Sequence, residues 1–224
     1  MISYFLINRQ KYFIDGFIGG YDKNISYLIT CHTTKRQIII DASIHPKHIM
    51  KNIIHNPKFL IITHSHSDHV RFIQDYIEYF PDIIVAHHYE NNTLFKNSLS
   101  LFDGQKIILG NLSAKVIHTP GHHYDSLCII MDNYIFTGDT IFIGRTGRTI
   151  GNKSNKRDLF KSVYKKILTM NEDTIILPGH HYGKVIFLSI KDNIKISPLL
   201  RCSNYKEFNI EMNNLENKIT RLNR

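Results

Sequence analysis

A chain of 224 residues, 42% of them hydrophobic, is long enough to bury a sizeable core and predicts one domain over residues 1–224. No stretch approaches the roughly 18 consecutive apolar residues of a membrane span, and the opening MISYFLINRQ lacks a signal-peptide layout, so a cytoplasmic protein is expected. The formal charge of +9 is scattered along the chain and suits an anionic small molecule; a nucleic-acid partner would be favoured by charge alone.

In chain order, short β-runs divided by turn signals are predicted at residues 25–30, 37–40, 59–63, 83–86, 114–118, 126–131 and 134–137. Helical patterns interrupt them at 46–54, entered through Pro46, and at about 70–80, where Val70, Ile73, Ile77 and Phe80 share a face. A third helix is predicted to start near Ser154, with Leu159, Phe160, Val163, Tyr164, Ile167 and Leu168 at helical spacing; a strand at 174–177 follows. From about 204 to 222, Phe208, Met212, Leu215, Ile219 and Leu222 alternate spacings of four and three, predicting a helix docked on its own domain, with a dimer contact as the alternative. Hairpins mixed with covering helices predict an α+β fold: two packed mixed sheets with helices on the outer faces. The three cysteines (Cys31, Cys128 and Cys202) form no CxxC pair and read as small buried hydrophobes in a reducing compartment.

The chemistry concentrates in Thr63-His64-Ser65-His66-Ser67-Asp68-His69. An Ile-rich strand delivers two histidines at i and i+2, which extended geometry points to one side, and the turn that follows brings Asp68 and His69 back. Transition-metal ions take imidazole nitrogen and carboxylate oxygen at about 2.0–2.2 Å, so their ligands must converge from rigid strand ends. Three later β-runs end in a donor preceded by glycine: Pro120-Gly121-His122, Gly138-Asp139-Thr140 and Pro178-Gly179-His180. Glycine lets the backbone turn sharply there and approach the metal closely. Together these donors are enough for two adjacent ions with a position left for water. Asp41 ends the strand 37–40, and by position alone reads as a turn or N-cap residue before Ala42-Ser43. His87, His88, His123 and His181 are expected to be surface or pocket-wall residues and not ligands.

The order HxHxDH, PGH, GDT, PGH resembles the metallo-β-lactamase superfamily over roughly residues 20–185. That resemblance implies an αβ/βα four-layer sandwich with metals at the edge where the sheets meet. It implies that His64, His66 and His122 hold one ion and that Asp68, His69 and His180 hold a second. Asp139 would bridge them, and Asp41 would support a ligand histidine. Asp68 and Asp139 would also direct the attacking water.

Residues 138–149, GDTIFIGRTGRT, resemble the GDTLF…GCGR segment of glyoxalase II and of persulfide dioxygenases. Arg148 falls where those families place a basic residue for a glutathione carboxylate, and Tyr182 matches a tyrosine used on the same ligand; Arg145 is a further candidate. A guanidinium suits that task because it grips a carboxylate with two hydrogen bonds, although a solvated turn explains the same arginines. Thr146 stands at the Cys of GCGR and Ile150 where an aromatic is expected, and the stretch after His180 is short, as in the persulfide dioxygenases. The resemblance implies hydrolysis of a thioester such as a hydroxyacylglutathione, with two zinc ions activating a water. The alternatives are a persulfide dioxygenase with one Fe(II) on His64, His122 and Asp139, mixed zinc, iron or manganese occupancy, and, from charge only, RNA cleavage. Monomer and homodimer both remain open.

Overall fold

The computed structural model describes residues 2–91, 93 and 95–222, with side chains described as far as Thr220. One sheet carries β1 (Ser3–Asn8), β2 (Tyr12–Gly19), β3 (Asn24–Cys31), β4 (Gln37–Ile40), β5 (Phe59–Ile61), β6 (Ile84–His88) and β7 (Ser98–Leu101), side by side in chain order. It is antiparallel from β1 to β4 and parallel from β4 to β7. The other sheet begins as a meander of β8 (Lys106–Leu109), β9 (Leu112–His118), β10 (Leu127–Met131) and β11 (Tyr134–Gly138). A small hairpin, β12 (Ile141–Phe142) with β13 (Arg145–Thr146), follows. Then β14 (Ile175–Pro178) joins β11 in parallel, and β15 (Leu188–Ser189) closes that edge.

Alternation along the strands sorts their side chains into layers. Ile38, Ile40 and Ile61 meet Val116, Ile129, Phe136 and Leu177 in the core between the sheets. Their neighbours Ile39 and Leu60 face the opposite way and pack with Ile73, Tyr76 and Phe80. On the far side Ile117, Cys128, Ile135 and Ile176 pack with Leu159, Val163, Ile190 and Phe208. The covering elements are α1 (Ser67–Val70) and α2 (Ile73–Tyr79) on one face. On the other are α3 (Lys156–Lys161), α4 (Ile190–Ile196) and α5 (Tyr205–Leu222). The result is the expected four-layer sandwich, helices–sheet–sheet–helices.

Several elements differ from expectation. The stretch 46–54 forms two short 3-10 turns, Pro46–His48 and Met50–Asn52, whose backbone bonds span three residues, as from Ile49 N–H to the Pro46 carbonyl and from Ile53 N–H to the Met50 carbonyl. The helix expected at 70–80 is two pieces that break at Arg71–Phe72. Helix α3 starts at Lys156, where the Asn155 side chain accepts from the Arg157 and Asp158 amides, and it continues as a π-helical turn, Ser162–Ile167. Strands β1, β2, β7 and β8, the β12–β13 hairpin, β15 and α4 carry no pattern strong enough to have been singled out. Helix α5 docks through Phe208 and Met212, both fully buried, while Leu222 lies outside the described side chains.

At one edge of the sandwich β4, β5, β9, β11 and β14 all end. Two backbone bonds sew the sheets together there: Leu127 N–H donates to the Thr63 carbonyl (2.7 Å) and Ile25 N–H to the Gly179 carbonyl (2.8 Å). Every loop singled out for its donors starts from this edge.

Candidate metal centre

His64 and His66 follow β5, Asp68 and His69 lie in α1, His122 follows β9, Asp139 follows β11 and His180 follows β14. The fold gathers all seven. His66 Nδ1 lies 3.0 Å from His64 Nε2 and 2.9 Å from His122 Nε2. His180 Nε2 lies 3.2 Å from both His69 Nε2 and Asp68 Oδ2. Between these groups stands Asp139, with Oδ1 3.2 Å from His69 Nε2 and Oδ2 3.5 Å from His122 Nε2, 3.4 Å from His180 Nε2 and 4.0 Å from His64 Nε2. Three overlapping groups are compact enough to hold an ion: His64–His66–His122, His64–His69–Asp139 and Asp68–His69–His180. Two nitrogens on one tetrahedral ion at about 2.1 Å sit roughly 3.4 Å apart, a few tenths of an ångström wider than the 2.9–3.2 Å between these nitrogens.

Two glycines make this approach possible. Gly138 has φ +46°, and a Cβ there would stand 2.6 Å from Thr63 Oγ1. A Cβ on Gly179 would stand 2.5 Å from Asp139 Oδ1 and 2.8 Å from His69 Cε1.

The backs of four of the five imidazoles are tied down, which fixes which nitrogen faces the centre. His69 Nδ1 donates to Asp41 Oδ2 (2.7 Å), His122 Nδ1 to the Arg148 carbonyl (2.8 Å) and His180 Nδ1 to the Asp22 carbonyl (2.8 Å). His64 Nδ1 lies 3.2 Å from Thr63 Oγ1, whose hydroxyl donates to Asp41 Oδ2 (2.8 Å). Asp41 Oδ1 accepts from Thr63 N–H (2.8 Å), so one carboxylate, held at φ +62°, supports histidines of both groups. Asp41 therefore braces His69 directly and His64 through Thr63, and is no helix cap; the N-cap of the turn that follows is His45.

The charges fit a cationic guest. Burial first, and then neighbouring histidines, hold the His64 imidazole well below its usual range; His66 falls to about 4 and His122 is lowered too, all led by burial. The other two histidines behave oppositely. Burial would lower His69, but Asp139 and Asp41 hold it well above its usual range. His180 rises to about 9 against its burial, through Asp139 and Asp68. Burial would raise Asp139, yet His180 and His69 keep its carboxyl well below the usual range. Its Oδ1 is buried without a hydrogen-bond partner. Imidazole lone pairs converging within about 3 Å, beside an orphaned carboxylate oxygen, are the donor set that a transition-metal ion satisfies.

A cavity of about 360 Å³ opens onto this cluster, walled by Tyr21, Phe142, Arg145, Arg148, Tyr182 and Ile219. Among the described residues neither arginine pairs with a carboxylate. The Arg145 guanidinium lies 4.0 Å from the Tyr182 ring centroid, and that ring lies parallel to His180 at 4.9 Å. Tyr182 OH donates to Asp22 Oδ2 (2.5 Å), so the phenol is engaged by the protein and presents its ring to the pocket.

The extra histidines fall in none of these three groups, yet three are not on the surface. His87 and His88 are buried in β6, and His123 is buried beside His66 with Nδ1 hydrogen-bonded to Asp125. Adjacent donors in PGHH and AHH look alike in sequence, and only strand alternation and tertiary cover separate them. One site residue carries no sequence signal. Asn24 opens β3 after a turn-like Asp22-Lys23, yet its buried amide donates to Asp68 Oδ2 (2.8 Å).

Comparison with known proteins agrees with this geometry. The family model described as metallo-beta-lactamase superfamily matches residues 22–180. Over 171 residues the chain is 31% identical to the hydroxyacylglutathione hydrolase of Francisella philomiragia, covering 74% of this chain and 66% of that protein. It thus spans just under two thirds of that relative's length. It is 29% identical over 175 residues to the probable polyketide biosynthesis zinc-dependent hydrolase PksB of Bacillus subtilis, covering 75% of this chain and 78% of that one. The crystal structure of ETHE1 from Myxococcus xanthus superposes with a TM-score of 0.77 at 22% identity, over 95% of this chain and 91% of that one, and so shares the fold. The family match spans most of the sequence and contains all seven converging donors: the chain belongs to the metallo-β-lactamase superfamily.

Proposed function

We propose that this chain is a metal-dependent hydrolase of an anionic thioester, of the hydroxyacylglutathione kind, with two zinc ions in the His/Asp cluster. The reading rests on one observation above all: seven donors converge, with Asp139 at 3.2–4.0 Å from His64, His69, His122 and His180, under a cavity walled by unpaired guanidiniums. The relatives that carry the name hydroxyacylglutathione hydrolase, at 28–31% identity, support the substrate class.

His64, His66 and His122 would hold one ion and Asp68, His69 and His180 the other, with Asp139 placed between the two groups. Ions held there would supply an ionised water at neutral pH and polarise the substrate carbonyl. Asp68 and Asp139 stay ionised, and one of them would accept the hydrogen that the attacking hydroxide keeps, which fixes its direction. Arg148 and Arg145 bind the substrate's carboxylates, and Tyr182 holds the Arg145 guanidinium against its ring. Phe142 and Ile219 line the pocket with apolar surface that displaces water from the acyl group. A thiolate leaving group, with a conjugate acid near pKa 8.5 by analogy with cysteine, departs without a strong general acid.

The test is thiol release by the zinc-loaded protein from a panel of acyl thioesters that includes S-lactoylglutathione. Release is expected; none from any member of the panel contradicts the reading. A second reading, oxidation of glutathione persulfide with one Fe(II), is favoured by His64, His122 and Asp139, which form a 2-His-1-carboxylate set around Asp139 Oδ2. Oxygen uptake by iron-loaded protein would replace hydrolysis with this chemistry, and zero uptake removes it.

A further inference from the structure

Helix α5 holds the loop that follows Arg148 through one carboxylate. Glu216 Oε1 accepts from both Thr149 N–H and Thr149 Oγ1–H, each at 2.7 Å. Its Oε2 pairs with Lys156 Nζ at 2.9 Å, at the first turn of α3, and the same ammonium donates to Asn213 Oδ1. The Glu216 side chain is only 12% exposed, and a carboxylate so covered must be fully partnered. Here the partners are two donors of one residue and a cation.

What Thr149 adjoins gives the contact its meaning. Arg148 immediately precedes it: the side chain lines the cavity, and the carbonyl accepts from His122 Nδ1. The loop on which Arg148 sits has no regular structure from Gly147 to Asn155. Glu216 pins it from a helix that is itself anchored by Phe208 and Met212 in the outer core. One turn further along α5, Ile219 enters the wall of the same cavity.

We infer that Glu216 is a positioning residue, which through Thr149 fixes both the aim of the Arg148 guanidinium and the carbonyl that orients His122. Helix α5 thereby supplies a wall and a latch to the pocket. This deepens the proposed hydrolase reading and rests on it for the substrate, though not for the metal.

The test compares Glu216→Ala, Glu216→Gln and Thr149→Ala with wild type by competitive zinc titration against a chelator and by KM and kcat on an anionic thioester. Lys218→Ala, on the exposed side of α5, is the control. Glu216→Ala is expected to weaken zinc at His64–His66–His122 about tenfold, within the range found for partners behind a ligand histidine. The Asp68–His69–His180 group should be unchanged, and KM should rise more than kcat falls. Glu216→Gln keeps the oxygen that accepts from Thr149 and restores most of the loss. Thr149→Ala removes only the hydroxyl donor and shows a smaller loss of the same kind. Unchanged zinc binding and KM in both Glu216→Ala and Thr149→Ala overturn the inference, as does an equal weakening of both metal groups with a lowered Tm. If wild type cleaves no thioester, the zinc titration alone still decides the role of Glu216.

Discussion

The two halves of the donor cluster differ in how they sit and what they carry. His69 and His180 are backed by Asp41 and Asp22 and share their space with two ionised carboxylates, which favour the protonated imidazoles when no metal is bound. His64, His66 and His122 lie among other imidazoles, and burial keeps them neutral. His66 is their half-exposed member, facing the cavity. In the Asp68–His69–His180 half, therefore, protons occupy the place of a cation; in the other half lone pairs stand ready for one. The same fold edge builds a proton-competing site and a proton-indifferent site, joined by Asp139.

Removing the joint should abolish the difference. Asp139→Ala is expected to reduce metal binding at both halves and hydrolysis by more than the roughly 100-fold that bounds losses at supporting residues. Retention of two ions per chain by elemental analysis would contradict this. Asp41→Asn should tilt the comparison without abolishing it, since Asp41 bonds His69 directly but reaches His64 only through Thr63. Metal affinity should fall about 10–100-fold in the Asp68–His69–His180 half and less in the other, read by chelator competition. Equal losses would show that Asp41 supports both alike.

The titration behaviour gives a sharper contrast. A protonated imidazole cannot coordinate, so an ion entering the Asp68–His69–His180 half must displace the His180 proton. Its affinity should rise about tenfold per pH unit for each proton displaced as pH climbs from 6.5 towards 9, whereas the His64–His66–His122 half stays flat over that window. In the metal-free protein the sign reverses. The raised His180 stabilises the fold fully below about pH 6.5 and loses that contribution as pH rises to about 9, so Tm falls across this range. A Tm that rises, or two halves with the same pH slope, would remove the contrast. The smallest effect on the centre is expected from Phe208→Ala, far from both halves. Stability should drop by about 3–5 kcal/mol in denaturant unfolding while the folded protein binds metal nearly as wild type.

The same contrast separates what could be read in the sequence from what could not. The ligands announce themselves because metal chemistry demands rare residue types at fixed offsets from strand ends, and glycine where Gly138 and Gly179 leave no room for a Cβ. The strands that deliver them were legible for a related reason, because alternating or continuous apolar runs have few other uses. The supports were mostly hidden. Asp22 and Arg148 serve through backbone carbonyls, which any residue possesses, and Asn24 and Thr63 are ordinary strand-end residues until tertiary contact assigns them a partner. Glu216 reads as one more charge on a helix, since its partner Thr149 lies far off in the chain. The break at Arg71–Phe72 was hidden by a helical repeat that continues through it. Asp41 was the exception, visible at the end of β4 although its two readings could be separated only by the bond to His69.

Anomalous diffraction from crystals of the zinc-loaded protein tests the central claim most directly. Two peaks about 3.5–4 Å apart are predicted, one against His64, His66 and His122 and one against Asp68, His69 and His180, with Asp139 touching both. Peaks elsewhere, or no density at these groups in protein shown to carry zinc, would contradict it.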